Sequence, residues 1–285
     1  MTRAQLTEQI FSKKTYLCVG LDTDPERIPK HLQGSPDAVF SFNKAIIDST
    51  REHCVAYKIN TAFYEAYGMK GWEAMERTVA YIPDTHFKIA DAKRGDIGNT
   101  SVQYARAFFE VLKFDAVTVA PYMGEDSVRP FLEFKNKWTI LLGLTSNTGA
   151  ADFELQRLLN NAATGTGRSS AERGGTGFLY EKVVTSAMEW GTGENLMFVV
   201  GATQSSQLAN LRKLAPSHFF LVPGVGAQGG SLKGISEAAL TKDCGLLVNA
   251  SRAIIYASEE EDFAAEAAAI AQQYHFEMRQ YLERL

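Results

Sequence analysis

Eight short runs of β-branched and apolar residues recur along the chain, and each is followed by a polar or glycine-bearing junction and then a stretch with helical spacing. The runs are "TYLCVG" at 15 to 20, "CVAYKI" at 54 to 59, "HFKIAD" at 86 to 91, "AVTVA" at 116 to 120, "TILLGL" at 139 to 144, "MFVVG" at 197 to 201, "FFLV" at 219 to 222 and "LLVNA" at 246 to 250. Continuous apolar runs of this length suit strands buried on both faces, and strands alternating with helices build a parallel sheet. After "DIGN", Ala105, Phe108, Phe109 and Leu112 fall at i, i+3, i+4 and i+7, which predicts a helix with one apolar stripe packed outside that sheet. The last stretch, acidic at its start and alanine-rich within, predicts a long closing helix. Eight such units in 285 residues predict an α/β fold, one (β/α)₈ TIM barrel domain over residues 1 to 285. A doubly wound open sheet is the alternative, but it would carry GxGxxG after its first strand, and "VGLDTDP" does not.

One connection is long for a compact domain, and it predicts a loop insertion at about 145 to 172, either a mobile flap or a passive insertion. A net charge of -4 argues against a broad grip on nucleic acid while leaving room for a local basic pocket around one small anion. The first fifteen residues lack the apolar core of a secretory signal, and no apolar run approaches the roughly 18 residues that span a bilayer. The expected setting is therefore cytoplasmic, with no membrane partner. Cys18, Cys54 and Cys244 lie far apart in no zinc-binding spacing and are expected to be reduced, buried, small apolar residues.

Active sites of such barrels gather at the C-terminal ends of the strands. In "DAKRGD" at 91 to 96, extended-chain alternation puts Asp91 and Lys93 on the same side, while Asp96 falls beyond the strand, free to fold back on its own site or to reach a neighbouring subunit. The same rule selects Asp22 after the first strand, Lys58 near the end of the second, Thr145 and Ser146 after the fifth, and Arg252 after the eighth. After the seventh comes "PGVGAQGG", whose glycines let backbone N–H groups approach an anion; with the fork of Arg252 it predicts a phosphorylated ligand. Taken singly, each feature has an ordinary explanation: an Asp-x-Lys pair is a salt bridge, glycines serve turns, Asp22 caps a helix and Arg252 seals a barrel end. Their convergence on one end of at least five strands is what favours a site.

With these residues in hand, the chain resembles the orotidine 5'-monophosphate decarboxylase family. "DAKRGDIGNT" follows that family's Asp-x-Lys-x-x-Asp-Ile-Gly-Asn-Thr signature, and "GLDTDP", "YKIN", "TSN", "PGVGAQGG" and "NASRAI" occur in the family's order over roughly residues 15 to 255. The match is nearest to the bacterial subgroup with longer chains. The resemblance implies a lyase of pyrimidine (UMP) biosynthesis that needs no cofactor and no metal, takes a nucleotide substrate and works as a homodimer. By similarity, Lys58, Asp91, Lys93 and Asp96 form an alternating charged network beneath the pyrimidine, with Asp96 and Thr100 supplied by the partner subunit. Asp22 and Lys58 bind ribose hydroxyls. Ser146, or else Thr145, meets the pyrimidine edge, and Gln228 and Arg252, with the backbone around Gly226 and Ala250 to Ser251, hold the phosphate.

Loss of carbon dioxide from C6 leaves an electron pair in the ring plane, outside the π system. The resemblance therefore implies fixed electrostatics as the main device, with Lys93 stabilising charge at C6 and then protonating it. Two other readings stand beside it. A magnesium-dependent sugar-phosphate decarboxylase or aldolase of the same superfamily shares Asp-x-Lys-x-x-Asp but uses an acid where this chain has Lys58. A nucleotide sensor would keep the barrel without the chemistry. The parts of Arg94, Arg168 and Arg173 are open at this level, with an indirect structural role favoured for Arg94. The fused phosphoribosyltransferase domain of some lineages is not expected here.

Overall fold

The structure, a computed structural model, describes residues 1–158, 177–202, 205–225 and 230–285. The eight strands are β1 Leu17–Gly20, β2 Ala56–Asn60, β3 Phe87–Arg94, β4 Ala116–Val119, β5 Trp138–Leu144, β6 Leu196–Val200, β7 Phe219–Pro223 and β8 Leu246–Ala250. Each pairs in parallel with the next, and β8 returns to β1, so the sheet closes into a barrel. Each sequence run thus coincides with most of a strand, and the barrel is the expected fold. The runs are mostly apolar because both strand faces are covered, one by the barrel interior and one by helices.

Eleven α-helices lie among the described residues: α1 Arg3–Lys13, α2 Ala38–Thr50, α3 Ala62–Glu65, α4 Gly68–Tyr81, α5 Gly98–Arg106, α6 Glu125–Leu132, α7 Leu179–Ala187, α8 Ser205–Leu214, α9 Leu232–Ala239, α10 Arg252–Ile255 and α11 Phe263–Leu282. α1 begins with a capping box in which Thr2 and Gln5 satisfy each other's backbone N–H groups. Its buried Leu6 and Ile10 lie on the core. The first residues of the odd strands β3, β5 and β7 are Phe87, Trp138 and Phe219, packed edge to face at 6.1 and 6.3 Å. This layer closes the N-terminal mouth, and the Trp138 indole N–H donates to the Met1 carbonyl (2.9 Å). Burying each of these rings contributes about 1.5–3 kcal/mol. The N-terminal mouth is packed shut, so an open site has only the C-terminal mouth available.

Two elements depart from the sequence expectation. Ala105, Phe108, Phe109 and Leu112 are all buried, as the stripe required, but α5 ends at Arg106 and Ala107–Val111 form a π turn, with the Leu112 N–H donating to the Ala107 carbonyl (3.0 Å). Adjacent Phe108 and Phe109 must both face inward, against Phe114 and Phe131 respectively. A widened turn permits that where a regular helix would rotate one away. The second departure is β3, which runs past Asp91 to Arg94 with a register shift against β4: Ala90 pairs with Val117, whereas Arg94 pairs with Val119. Four steps along β3 answer two along β4, a β-bulge at Asp91 to Lys93.

Candidate active site

The Asp22 carboxylate, the Lys58 ammonium, and the Asp91 carboxylate and Lys93 ammonium of the signature meet at the C-terminal mouth. Lys58 Nζ donates to Asp22 Oδ1 (3.0 Å) and to Asp91 Oδ2 (3.1 Å), and Lys93 Nζ donates to Asp91 Oδ1 (2.6 Å). The order is acid, amine, acid, amine across β1, β2 and β3. Lys58 is almost wholly buried, with its side chain 4% exposed, whereas the Lys93 side chain is 50% exposed. Burial alone would lower the Lys58 pKa, but Asp22 and Asp91 outweigh it and hold the amine well above its ordinary value. For Asp91, burial pushes the carboxyl up while the ammonium groups of Lys58 and Lys93 hold it well below the usual carboxylate range. Both remain charged at neutral pH.

Local structure explains each position. Asp22 follows β1 on a turn whose Leu21 carbonyl accepts from the Tyr64 hydroxyl (2.9 Å); that hydroxyl accepts from Asn43 Nδ2, and Asn43 Oδ1 accepts from Thr23. Lys58 lies on β2, beside Gly20 in the ladder. Lys93 has a φ of +47°, the left-handed region that a side chain seldom occupies. The bulge therefore costs strain, and it turns the amine onto the Asp91 carboxylate.

Asp22, Lys58 and Asp91 line one pocket with Ser146, Pro223, Gly224, Val225, Asn249, Ser251 and Arg252. Ser146 and Arg252, which the sequence singled out from opposite sides of the barrel, thus share a cavity with the charged row. Thr145 does not line it: its backbone N–H donates to Glu154 (2.7 Å) and its hydroxyl faces Asn147 and Glu154. Asp96 is half-buried and Thr100 exposed, and among the described residues neither is paired with Lys93. Asp96 Oδ1 instead accepts from the Ile97 N–H (2.8 Å). Arg94 points away from the pocket, pairing with Glu65 on α3 and lying over the Tyr104 and Phe108 rings. Gln228, Gly226, Arg168, Arg173 and residues 159 to 172 of the insertion lie outside the described residues.

Three features of the site were not singled out from the sequence. Gly20 ends β1 and Gly201 directly follows β6; a Cβ on Gly20 would sit 1.8 Å from Ser251 Oγ, and one on Gly201 would sit 2.8 Å from the Ser146 backbone nitrogen. Asn249, nearly buried on β8, donates from Nδ2 to Ser251 Oγ (3.1 Å). Thr118, fully buried on β4, touches both Asp91 and Lys93. A lone hydroxyl within the apolar run "AVTVA" was the available signal for Thr118. For the two glycines no local signal distinguishes close approach from an ordinary turn.

A closed (β/α)₈ barrel with alternating acids and amines at its C-terminal mouth, beside a glycine-bearing β7 turn and a β8 arginine, defines a barrel enzyme. Residues 15–268 match the orotidine 5'-phosphate decarboxylase / HUMPS family, and the chain belongs to it. It is 54% identical over 289 residues to the orotidine 5'-phosphate decarboxylase of Christiangramia forsetii, covering 100% of both chains, and 52% identical over 288 residues to that of Bacteroides fragilis, again covering 100% of both. Among solved structures, the OMP decarboxylase of Leishmania donovani matches with a TM-score of 0.77 and 34% identity, covering 97% of this chain and 99% of that one. The UMP synthase of Leishmania donovani matches with a TM-score of 0.78 and 36% identity; this chain covers 56% of that longer one.

Proposed function

We propose that the protein decarboxylates orotidine 5'-monophosphate to uridine 5'-monophosphate as a carboxy-lyase of pyrimidine biosynthesis. The observation that carries this is the row Asp22, Lys58, Asp91, Lys93, closed by hydrogen bonds of 3.0, 3.1 and 2.6 Å in a pocket that Arg252 also lines. The C6–carboxylate bond breaks, carbon dioxide leaves, and the bonding pair stays on C6 in the ring plane. The Lys93 ammonium stabilises that pair and then transfers a proton to C6, giving uridine monophosphate. Because Asp91 already accepts from both amines, the charges stand in place before substrate arrives, and little reorganisation accompanies the reaction. Asp22 and Lys58 bind ribose hydroxyls, Ser146 meets the pyrimidine edge, and Arg252 with Gln228 and the β7 and β8 turns holds the phosphate. Phosphate binding offsets the cost of desolvating the charged row. Lys58 stands where the magnesium-dependent relatives would have an acid, and an ammonium there repels a divalent cation.

The working form is a homodimer in the cytoplasm, with Asp96 and Thr100 of each subunit completing the partner's site. The half-exposed Lys93 leaves room for a second carboxylate. Large apolar side chains stand exposed on the segments after four successive strands: Met69 after β2, Ile97 and Tyr104 after β3, Tyr122 and Met123 after β4, and Phe153 after β5. Adjacent strands put them in one sector around the C-terminal mouth, the surface a second copy would cover. Among the described residues no helix is long and apolar enough to cross a membrane. The deciding experiment adds orotidine monophosphate to the purified protein with a chelator present and follows the ultraviolet absorbance. Conversion to uridine monophosphate is expected; no conversion, or conversion that needs added magnesium, defeats the reading.

A further inference from the structure

The β3 bulge creates a problem that one side chain on the neighbouring strand solves. Where four steps of β3 answer two of β4, the ladder cannot take every backbone group of the bulged residues, and a buried N–H without a partner is costly. Thr118 lies between the two paired residues Val117 and Val119, opposite the bulge. Its Oγ1 accepts from the Lys93 backbone N–H at 2.9 Å and lies 3.0 Å from Asp91 Oδ1. The direction of both bonds follows from chemistry. An amide N–H only donates and a carboxylate only accepts, so the single hydroxyl proton of Thr118 goes to Asp91.

We propose that Thr118 is a positioning residue for decarboxylation: its hydroxyl ties the backbone of Lys93 to the carboxylate that holds the amine of the same lysine. A closed ring results, running from the Lys93 N–H to Thr118, to Asp91 Oδ1, and back to Lys93 Nζ at 2.6 Å. It has two effects. The backbone bond holds Lys93 in the left-handed conformation, φ +47°, that the side chain would otherwise leave. The side-chain bond gives Asp91 a third donor beside Lys58 and Lys93, so neither carboxylate oxygen is free to rotate away. Thr118 itself is fully buried and does not line the pocket, which places it behind the charged row. Since the reacting proton leaves from Lys93 Nζ, an error of about 1 Å in its position costs on the order of 10²-fold in rate.

This inference rests on the decarboxylase reading, and the test separates the two. Thr118→Val keeps the branched shape and removes the hydroxyl; Thr118→Ser keeps the hydroxyl and removes the methyl; Thr118→Ala removes both. With orotidine monophosphate as substrate, kcat is expected to fall about 10²-fold in Thr118→Val and in Thr118→Ala, with KM within about threefold of the parent. Thr118→Ser is expected to stay within about fivefold of the parent kcat. The acid limb of the kcat profile should move to higher pH in Thr118→Val, because Asp91 has lost a hydrogen bond that favours its charged form. Comparison of Ser with Ala isolates the hydroxyl even if the Val variant does not fold. An active parent with kcat unchanged in the folded Val or Ala variant overturns the proposal. So does a Ser variant as impaired as Ala, which would make the methyl packing the cause. A parent that does not convert the substrate overturns the decarboxylase reading and this inference with it.

Discussion

Lys93 is the residue on which three separate influences converge: a backbone conformation outside the ordinary range, a carboxylate 2.6 Å from its amine, and an open side toward the mouth of the barrel. Extended-chain alternation already placed Asp91 and Lys93 on one face, but the structure reaches that arrangement through a bulge rather than a regular strand. Lys93→Ala is expected to lose on the order of 10⁴-fold or more in kcat, because charge stabilisation and proton donation leave together. Single-turnover kinetics with orotidine monophosphate measures this, and a variant within tenfold of the parent would move the proton donor elsewhere. Lys58 and Asp91 were legible as residue types at strand ends. Their bonding was not, because which carboxylate oxygen meets which amine is set by strand register, not by order along the chain. Thr145 and Ser146 are adjacent in sequence, and only the fold separates them: Thr145 is occupied by Glu154, and Ser146 lines the pocket.

At the scale of elements, the strands were legible because a strand covered on both faces is apolar at most positions, whichever side it presents. The two irregular elements were not. The π turn after α5 and the bulge in β3 answer packing across the sheet, and neither leaves a periodic mark in its own segment. Glycines show the same limit. Gly201 directly follows β6 where the β5 loop crosses it, and an added Cβ would lie 2.8 Å from the Ser146 backbone nitrogen and 2.9 Å from its Cα. Backbone cannot swing aside as a flexible side-chain tip can. Gly201→Ala is therefore expected to displace Ser146 and raise KM about tenfold, the equivalent of about 1.4 kcal/mol of lost binding, with kcat reduced less. Steady-state kinetics checks the split; an unchanged KM would mean that the Ser146 loop shifts without consequence for the ligand.

At the scale of the whole molecule, assembly and acid stability are the two properties to test. If each site takes Asp96 from the partner, Lys93→Ala and Asp96→Ala homodimers are each nearly inactive, yet a mixture that exchanges subunits regains activity. A hybrid with both lesions in one site keeps the other intact, so the exchanged mixture is expected to recover about a quarter of the parent rate per subunit. Mixed subunits that remain silent after confirmed exchange would put Asp96 in its own chain's site. For acid stability, burial pushes both His86 and His218 down to about 4. An unfolded histidine titrates near 6.5, so between those values the unfolded chain binds protons that the folded chain refuses. The stabilisation is complete above about pH 6.5 and is lost as pH falls toward 4, on the order of 2–4 kcal/mol for each residue. Thermal unfolding should therefore show Tm falling steadily from pH 7 to 4.5, with a shallower fall in His218→Gln; a flat parent profile would contradict the burial argument. The sequence by itself determined the eight strands, the barrel and the identity of the charged groups, because apolar runs and strand-end chemistry are local properties carried by neighbouring residues. Only tertiary structure decided the bulge that aims Lys93, the hydroxyl from β4 that holds it and the glycines that let β1 and β6 approach their neighbours, since each depends on atoms brought together from strands distant in the chain.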